Sequence, residues 1–539
     1  MKRLLFLFTT VVMLLLSVTD VEAQKMSYAR SVFRKSPAPI ISPIIKGVLA
    51  SNLRLTPPVI NNGNRILPGT KPEQVDYKLK ASYARLKSTI TAMTSTSLFS
   101  NGISYKISER KPVIERRFVA YAGMESQSVD DPNPESFPIT DGQKEIATYI
   151  YNEIKSFGGK TVKTVLSDDY YIYVDIPSNI KGNVPSVLFM AHMDVTPEAP
   201  GKGVKPQVHR NYDGGAIQLG NGVELSPDMP EGAQLKYMKG MTIITSDGST
   251  LLGADDKAGC TVLVTMIEDL IKNPKFKHGR VMVMFSQNED VGKAAYRYDP
   301  SVFGAKPDIV IDVDGDDSCG FSVENFTAIG MTFHFKGNMA HPSHGLENKY
   351  GDALTASSYF IGSLPPFVHP SASFGKKGYI HCYSCEHPKD STGKEIRDEY
   401  IAKIRLRYFD KNEGETLRRY LDSAFEKTKR FFPFVKVTRS EPVLQYENIA
   451  YSMPKYVPEL ITTAASKIFK RLTPRYERGG TTSAMLSARM PDKIPGGPCI
   501  FSGQHAEHSV YEWCCVEEMT MMVNIVENII SGVTEMKFK

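Results

Sequence analysis

A His and an Asp two residues apart, His192 and Asp194, close the apolar run at residues 187–191. A short apolar run bounded by polar residues reads as a strand of a parallel sheet, buried on both faces. Ligands of open α/β sheets bind beyond the carboxyl ends of such strands. There a His can ligate a metal with an Asp to orient it, or the pair can be a core histidine bonded to its neighbour. Other stretches decide between these readings. Asp255 and Asp256 precede an apolar helical pattern (Val262, Met266, Ile267, Leu270), and Glu289 and Asp290 follow the strand pattern at 281–285. Asp314 follows the run 308–313, and Cys499-Ile-Phe501 leads into His505 and His508. Plain N-capping explains one Asp at a helix start. It does not explain five element ends that deliver His and carboxylates to one rim.

Two His and several carboxylates suit a hard-to-borderline divalent cation, zinc above all. The ligands exceed what one tetrahedral ion needs; a pair about 3.5–4 Å apart sharing a bridging carboxylate accommodates them. Such a pair eases loss of a proton from water near neutral pH and polarises a carbonyl. One more carboxylate must then act as general base and acid. The seven cysteines are an odd number scattered late in a long chain, which is not a disulfide framework. Cys382 and Cys385, flanked by His381 and His387, have no second pair at zinc-site spacing and are not assigned a metal.

The elements that must position these residues are those of an α/β protein. From about Val113 helical and strand patterns alternate: a helix at 142–157 stopped by Gly158-Gly159, then a strand at 170–176. Residues 113–326 form the first part of a catalytic α/β domain and 440–539 its second part, with helices at 460–472 and 517–530. Between them, 327–439 reads as a small α+β lid with strands at 329–335 and 401–408 and helices at 352–361 and 417–432. Residues 1–23, with Lys2 and Arg3 before an apolar stretch and Ala23 at the cut, read as a signal peptide. The expectation is an exported chain with no transmembrane span in the mature form. Residues 24–112 form a basic extension, 15 Lys and Arg against Glu73, Asp76 and Glu109, with a helix expected at 75–93. The remainder is then net acidic, which argues against nucleic acid as partner.

His192-Met-Asp194, Gly253-Ala-Asp-Asp-Lys-Ala-Gly259, Asn288-Glu-Asp-Val-Gly292, Val313-Asp-Gly315 and His508-Ser-Val-Tyr-Glu512 resemble the zinc exopeptidases related to carboxypeptidase G2. The branch they are most similar to is peptidase T, the tripeptide aminopeptidases, through Gly201-Lys-Gly-Val-Lys-Pro206, Glu324-Asn-Phe326 and Arg478-Gly-Gly-Thr481. The resemblance runs from about Ile114 to Ser531. It implies a mixed sheet flanked by helices, an inserted lid that can form a homodimer, and two Zn2+ per subunit, with Co2+ or Mn2+ as substitutes. His192 and Asp314 would hold one ion, Asp290 and His508 the other, and Asp255 would bridge. Asp194 would orient His192, and Glu289 would take and return the proton. His341 would steady the oxyanion, in relatives sometimes across a dimer, and Arg478 would bind the carboxylate of a short peptide. Three positions depart from the branch: Asp290 stands for Glu, Thr482-Ser483 for Asp-Gly, and His505 for an aromatic residue. The expected function is removal of the N-terminal residue from short peptides, tripeptides foremost. A dipeptidase, carboxypeptidase or amide deacylase would use the same residues. A non-catalytic peptide-binding protein would not need Glu289.

Overall fold

The computed structural model describes residues 98–100, 103–105 and 107–536, apart from 132, 134, 135, 221, 317 and 467–471. The expected signal peptide and the helix expected at 75–93 lie outside the described residues. Eight strands form the central sheet: β1 (Lys163–Leu166), β2 (Ile172–Ile176), β3 (Val187–His192), β4 (Val281–Ser286), β5 (Ile309–Gly315), β6 (Gly320–Asn325), β7 (Thr473–Glu477) and β8 (Cys499–Phe501). Their order is β7-β6-β8-β5-β3-β4-β2-β1. β4, β3, β5 and β8 are mutually parallel neighbours, so their carboxyl ends share one edge.

The unbroken apolar run of β3 follows from burial on both faces. Val187, Phe189 and Ala191 join one core with Val283, Phe285, Ile311 and Val313. Leu188 and Met190 point the other way, into a second core with Met282, Met284 and Val310. Alternation along a strand sorts the residues, and each fully buried side chain contributes about 1.5–3 kcal/mol. Helix α1 (Ile107–Ala122) and α2 (Asp141–Ser156) flank the first core with α3 (Ala254–Lys272) and α5 (Val516–Glu535); α4 (Thr482–Arg489) covers the second. Thr140 and Gln143 start α2 with a reciprocal capping box.

Two boundaries differ from the expected ones. Helix α1 starts at Ile107, inside the segment expected to be extension, and buries Ile114, Phe118 and Tyr121. Pro112 sits within the helix and removes the bond to the Ser108 carbonyl. The lid contains five antiparallel strands around Thr327–Lys336 and Glu399–Tyr408, with helices Ala353–Gly362 and Lys411–Phe431 over Phe333, Phe335 and Leu406, which Leu421 of the second helix joins. Its sheet continues past residue 439 to strand Val443–Tyr446, which pairs back onto Thr327–Lys336. The helix expected at 460–472 is observed at Val457–Ser466. Among the described residues no helix is long and apolar enough to cross a membrane.

Candidate active site

The shared edge of β3, β4, β5 and β8 collects the side chains singled out in the sequence. His192, the last residue of β3, is buried, and its Nε2 lies 3.0 Å from Asp255 Oδ1 and 3.6 Å from Asp314 Oδ1. His508 Nε2 lies 2.9 Å from Asp290 Oδ1 and 3.3 Å from Asp255 Oδ2. Each oxygen of Asp255 therefore faces a different imidazole, and two three-residue ligand sets share that one carboxylate.

Local backbone irregularities create this convergence. Asp314 falls where the β5–β8 register slips, a bulge that turns its side chain toward the rim. Asn288 (φ 59°) turns the chain sharply after β4, held by Gln143 and the Pro138 carbonyl, so that Glu289 and Asp290 follow at the strand end. Asp255 and Asp256 stand at the N-terminus of α3 as expected, but both have non-helical dihedrals, and Gly253 before them has φ 78°. Asp256 is buried, accepting from the His192 and Gly259 amides. Gly259 is required there: a Cβ would meet the Val313 carbonyl at 2.1 Å. His508 (φ 59°) lies on the loop between strands Gln504–His505 and Trp513–Cys515, with Nδ1 3.0 Å from the exposed Glu198.

The donor set fits a pair of divalent cations. Ligand atoms of a tetrahedral zinc at about 2.0–2.1 Å lie roughly 3.3 Å apart, and the four His–carboxylate separations bracket that spacing. Asp290 Oδ2 is buried without a hydrogen-bond partner among the described residues, as an atom awaiting a cation would be. Burial pushes the Asp290 and Asp314 carboxyls up, and the Asp255 charge adds to both. For Asp255 burial acts the same way, but hydrogen bonds from His192 and His508 outweigh it and hold the group ionised. His508 is pushed up to about 12 by its hydrogen bonds to Asp255 and Asp290. Buried carboxylates in this number require such positive charge.

Asp194 is buried and does more than was read from its spacing. His192 Nδ1 is 3.1 Å from the Asp194 backbone carbonyl and 3.6 Å from its carboxylate. That carboxylate accepts from the amides of Glu289 (3.1 Å) and Asp290 (3.3 Å), fixing the two residues together. Burial raises the Glu289 carboxyl against the opposing pull of His192. Thr482, which stands where the resembled branch has Asp, donates to Glu289 Oε1 at 3.4 Å from the first turn of α4. The cleft in front, about 290 Å3, is lined by Asp255, Glu289, Asp290, Asp314 and His508 and extends past Thr481 to Arg475 and Glu477.

Two expected residues are elsewhere. His341 is on an exposed lid turn, paired with the Ser343 hydroxyl, and does not line the cleft. Arg478 bonds the Gly375 and Lys377 carbonyls and the Ser373 hydroxyl, and stacks 4.8 Å from Phe326. His505 turns from the rim, bonded to buried Glu518 at 2.7 Å and stacked on Trp513 at 3.8 Å. Cys382 and Cys385 lie on a lid strand outside every metal-ligand cluster found among the described residues, where no disulfide is formed. Missing from the sequence reading were Asp312, which accepts from the Ser483 amide at the start of α4, and Glu512, which binds the loop before Asp255. The His-x-x-x-Glu spacing was the only visible signal for Glu512.

No family model matches the chain. It is 33% identical over 426 residues to peptidase T of Halothermothrix orenii, across 77% of this chain and 97% of that protein. It is 32% identical over 435 residues to peptidase T of Geobacillus sp. strain WCH70, across 78% and 98%. The solved structure of aminopeptidase PepT from Bacillus cereus shares the fold, with a TM-score of 0.58 at 20% identity over 79% of this chain and 99% of that one. Sheet, inserted lid and relatives together define a metal-dependent exopeptidase. Within that class the chain belongs to the peptidase T family and is a metal-dependent aminopeptidase.

Proposed function

We propose that this chain is an exported di-zinc aminopeptidase that removes the N-terminal residue from short peptides, tripeptides foremost. The observation that carries the reading is the Asp255 carboxylate shared between His192 and His508, with Glu289 held beside it through Asp194. Two divalent cations at these ligands supply Lewis acidity that polarises the scissile carbonyl and makes water easier to deprotonate. His192 and Asp314 would hold one, Asp290 and His508 the other, and Asp255 both. Glu289 takes the proton of the attacking water at its carboxylate and returns it to the leaving amine. Thr482 and the Glu289 amide bond to Asp194 keep that carboxylate oriented across both transfers.

Purified protein loaded with Zn2+ or Co2+ is assayed on tripeptides, N-blocked tripeptides and acyl-amino acids. Free tripeptides are cleaved and the other two classes are not; turnover of blocked peptides would sink the aminopeptidase assignment. Glu289→Gln loses turnover by about 10²–10⁴-fold while retaining the metal content of the parent. Loss of metal as well would assign Glu289 to the ligands instead. Export is checked by fractionating the source cells for the mature chain.

A further inference from the structure

The loop that carries the bridging carboxylate has a backbone with nowhere conventional to place its hydrogen bonds. From Leu252 to Asp256 the chain is neither strand nor regular helix, with φ 78° at Gly253 and extended dihedrals (φ −79°, ψ 109°) at Asp255. The loop is buried, so its amides need partners inside the protein. One side chain answers three of them. Glu512, 1% exposed, accepts from Leu252 N at 2.8 Å and Gly253 N at 2.6 Å through Oε2, and from Asp255 N at 2.8 Å through Oε1.

Glu512 belongs to the same loop as His508, four residues upstream, and it immediately precedes the strand Trp513–Cys515. That strand pairs with Ile243–Thr245, which leads into the Asp255 loop. Its carboxylate thus ties the His508 loop to the Asp255 loop at the height of the ligands. Asp255 must present one oxygen 3.0 Å from His192 and the other 3.3 Å from His508, and a small displacement of its Cα breaks one contact or both. Glu512 does not line the cleft, and it belongs to no ligand cluster.

We infer that Glu512 is a positioning residue for the metal centre: by clamping the amides of residues 252, 253 and 255 it sets the bridging carboxylate at the distance both imidazoles require. The inference rests on reading the cluster as a two-metal site. Glu512→Gln keeps one oxygen and turns an amide N–H2 toward the other backbone donors, so the clamp is broken with little change in volume. Zn2+ affinity, titrated against a competing chelator with the folded full-length chain, falls by about 10–100-fold. The visible spectrum of the Co2+-loaded variant changes shape as the bridge is displaced. Glu512→Asp, which keeps the carboxyl group on a stem one methylene shorter, gives an intermediate loss and stands in should the Gln variant not fold. A purely structural Glu512 would lower the melting temperature of the variants and leave metal affinity and the Co2+ spectrum of the folded protein unchanged. That result, with two equivalents still bound by the parent, overturns this inference alone. A parent chain that takes up no zinc overturns the proposed function with it.

Discussion

His505 and His508 show how much a residue's role depends on contacts the sequence does not display. They are three apart, follow the same strand, and both were open as ligands. His508 adopts φ 59° and presents Nε2 to Asp255 and Asp290, whereas His505 is sealed under Trp513 against Glu518. Opposite consequences of removal follow. His508→Ala lowers bound metal below two equivalents and leaves the fold intact, since the side chain is half-buried at the cleft edge. His505→Ala keeps the metal but leaves a buried Glu518 oxygen without its hydrogen-bond partner, at a cost of about 1–3 kcal/mol. Elemental analysis with thermal melting of both variants checks the pair; metal loss in the His505 variant would reverse the assignment. The candidate ligands were legible as His and carboxylate types gathered just beyond strand and helix patterns that periodicity locates. Glu512 and Asp312 were not, because their partners lie more than 150 residues away in the chain and bond through backbone amides, which have no sequence signature.

At the scale of elements, strands and helices were readable where burial imposes a period, and connections were not. The turn at Asn288, the bulge at Asp314 and the irregular stretch from Gly253 to Asp256 aim the candidate ligands, yet each departs from periodicity. The link between lid and catalytic domain is of the same kind. Arg478 follows β7 and donates to the lid segment 373–377, while Lys376 of that segment pairs with Glu324 at the end of β6. Guanidinium and ammonium together latch the lid to the cleft wall. Arg478→Ala should speed amide exchange in residues 373–378 with β3 to β5 still protected. Unchanged exchange, with a raised KM only for peptides bearing a free C-terminal carboxylate, would return Arg478 to the substrate role that the family resemblance implies.

Across the whole molecule, the start of the catalytic body is fixed by charge as much as by apolar packing. Arg110 on α1 is buried between Asp269 of α3 (2.7 Å) and Glu527 of α5 (2.6 Å), with Asn524 at 2.9 Å. This knot joins the helix expected to belong to a loose extension to two central helices, which is why the body begins before Pro112. Burial pushes the Glu527 carboxyl up to about 8 against the pull of Arg110, with Asp269 adding to the rise. The folded state therefore favours the protonated acid, whereas the unfolded chain ionises near the ordinary glutamate value of roughly 4.3. The contribution is complete below the unfolded value and is lost as pH rises through about 8. Urea midpoints of the parent should fall between pH 5 and 9 more steeply than those of Glu527→Gln, which keeps an acceptor for Arg110 and cannot ionise. Parallel curves would mean that Arg110 holds Glu527 ionised throughout, and that α1 is docked by a permanent ion pair rather than by a shared proton.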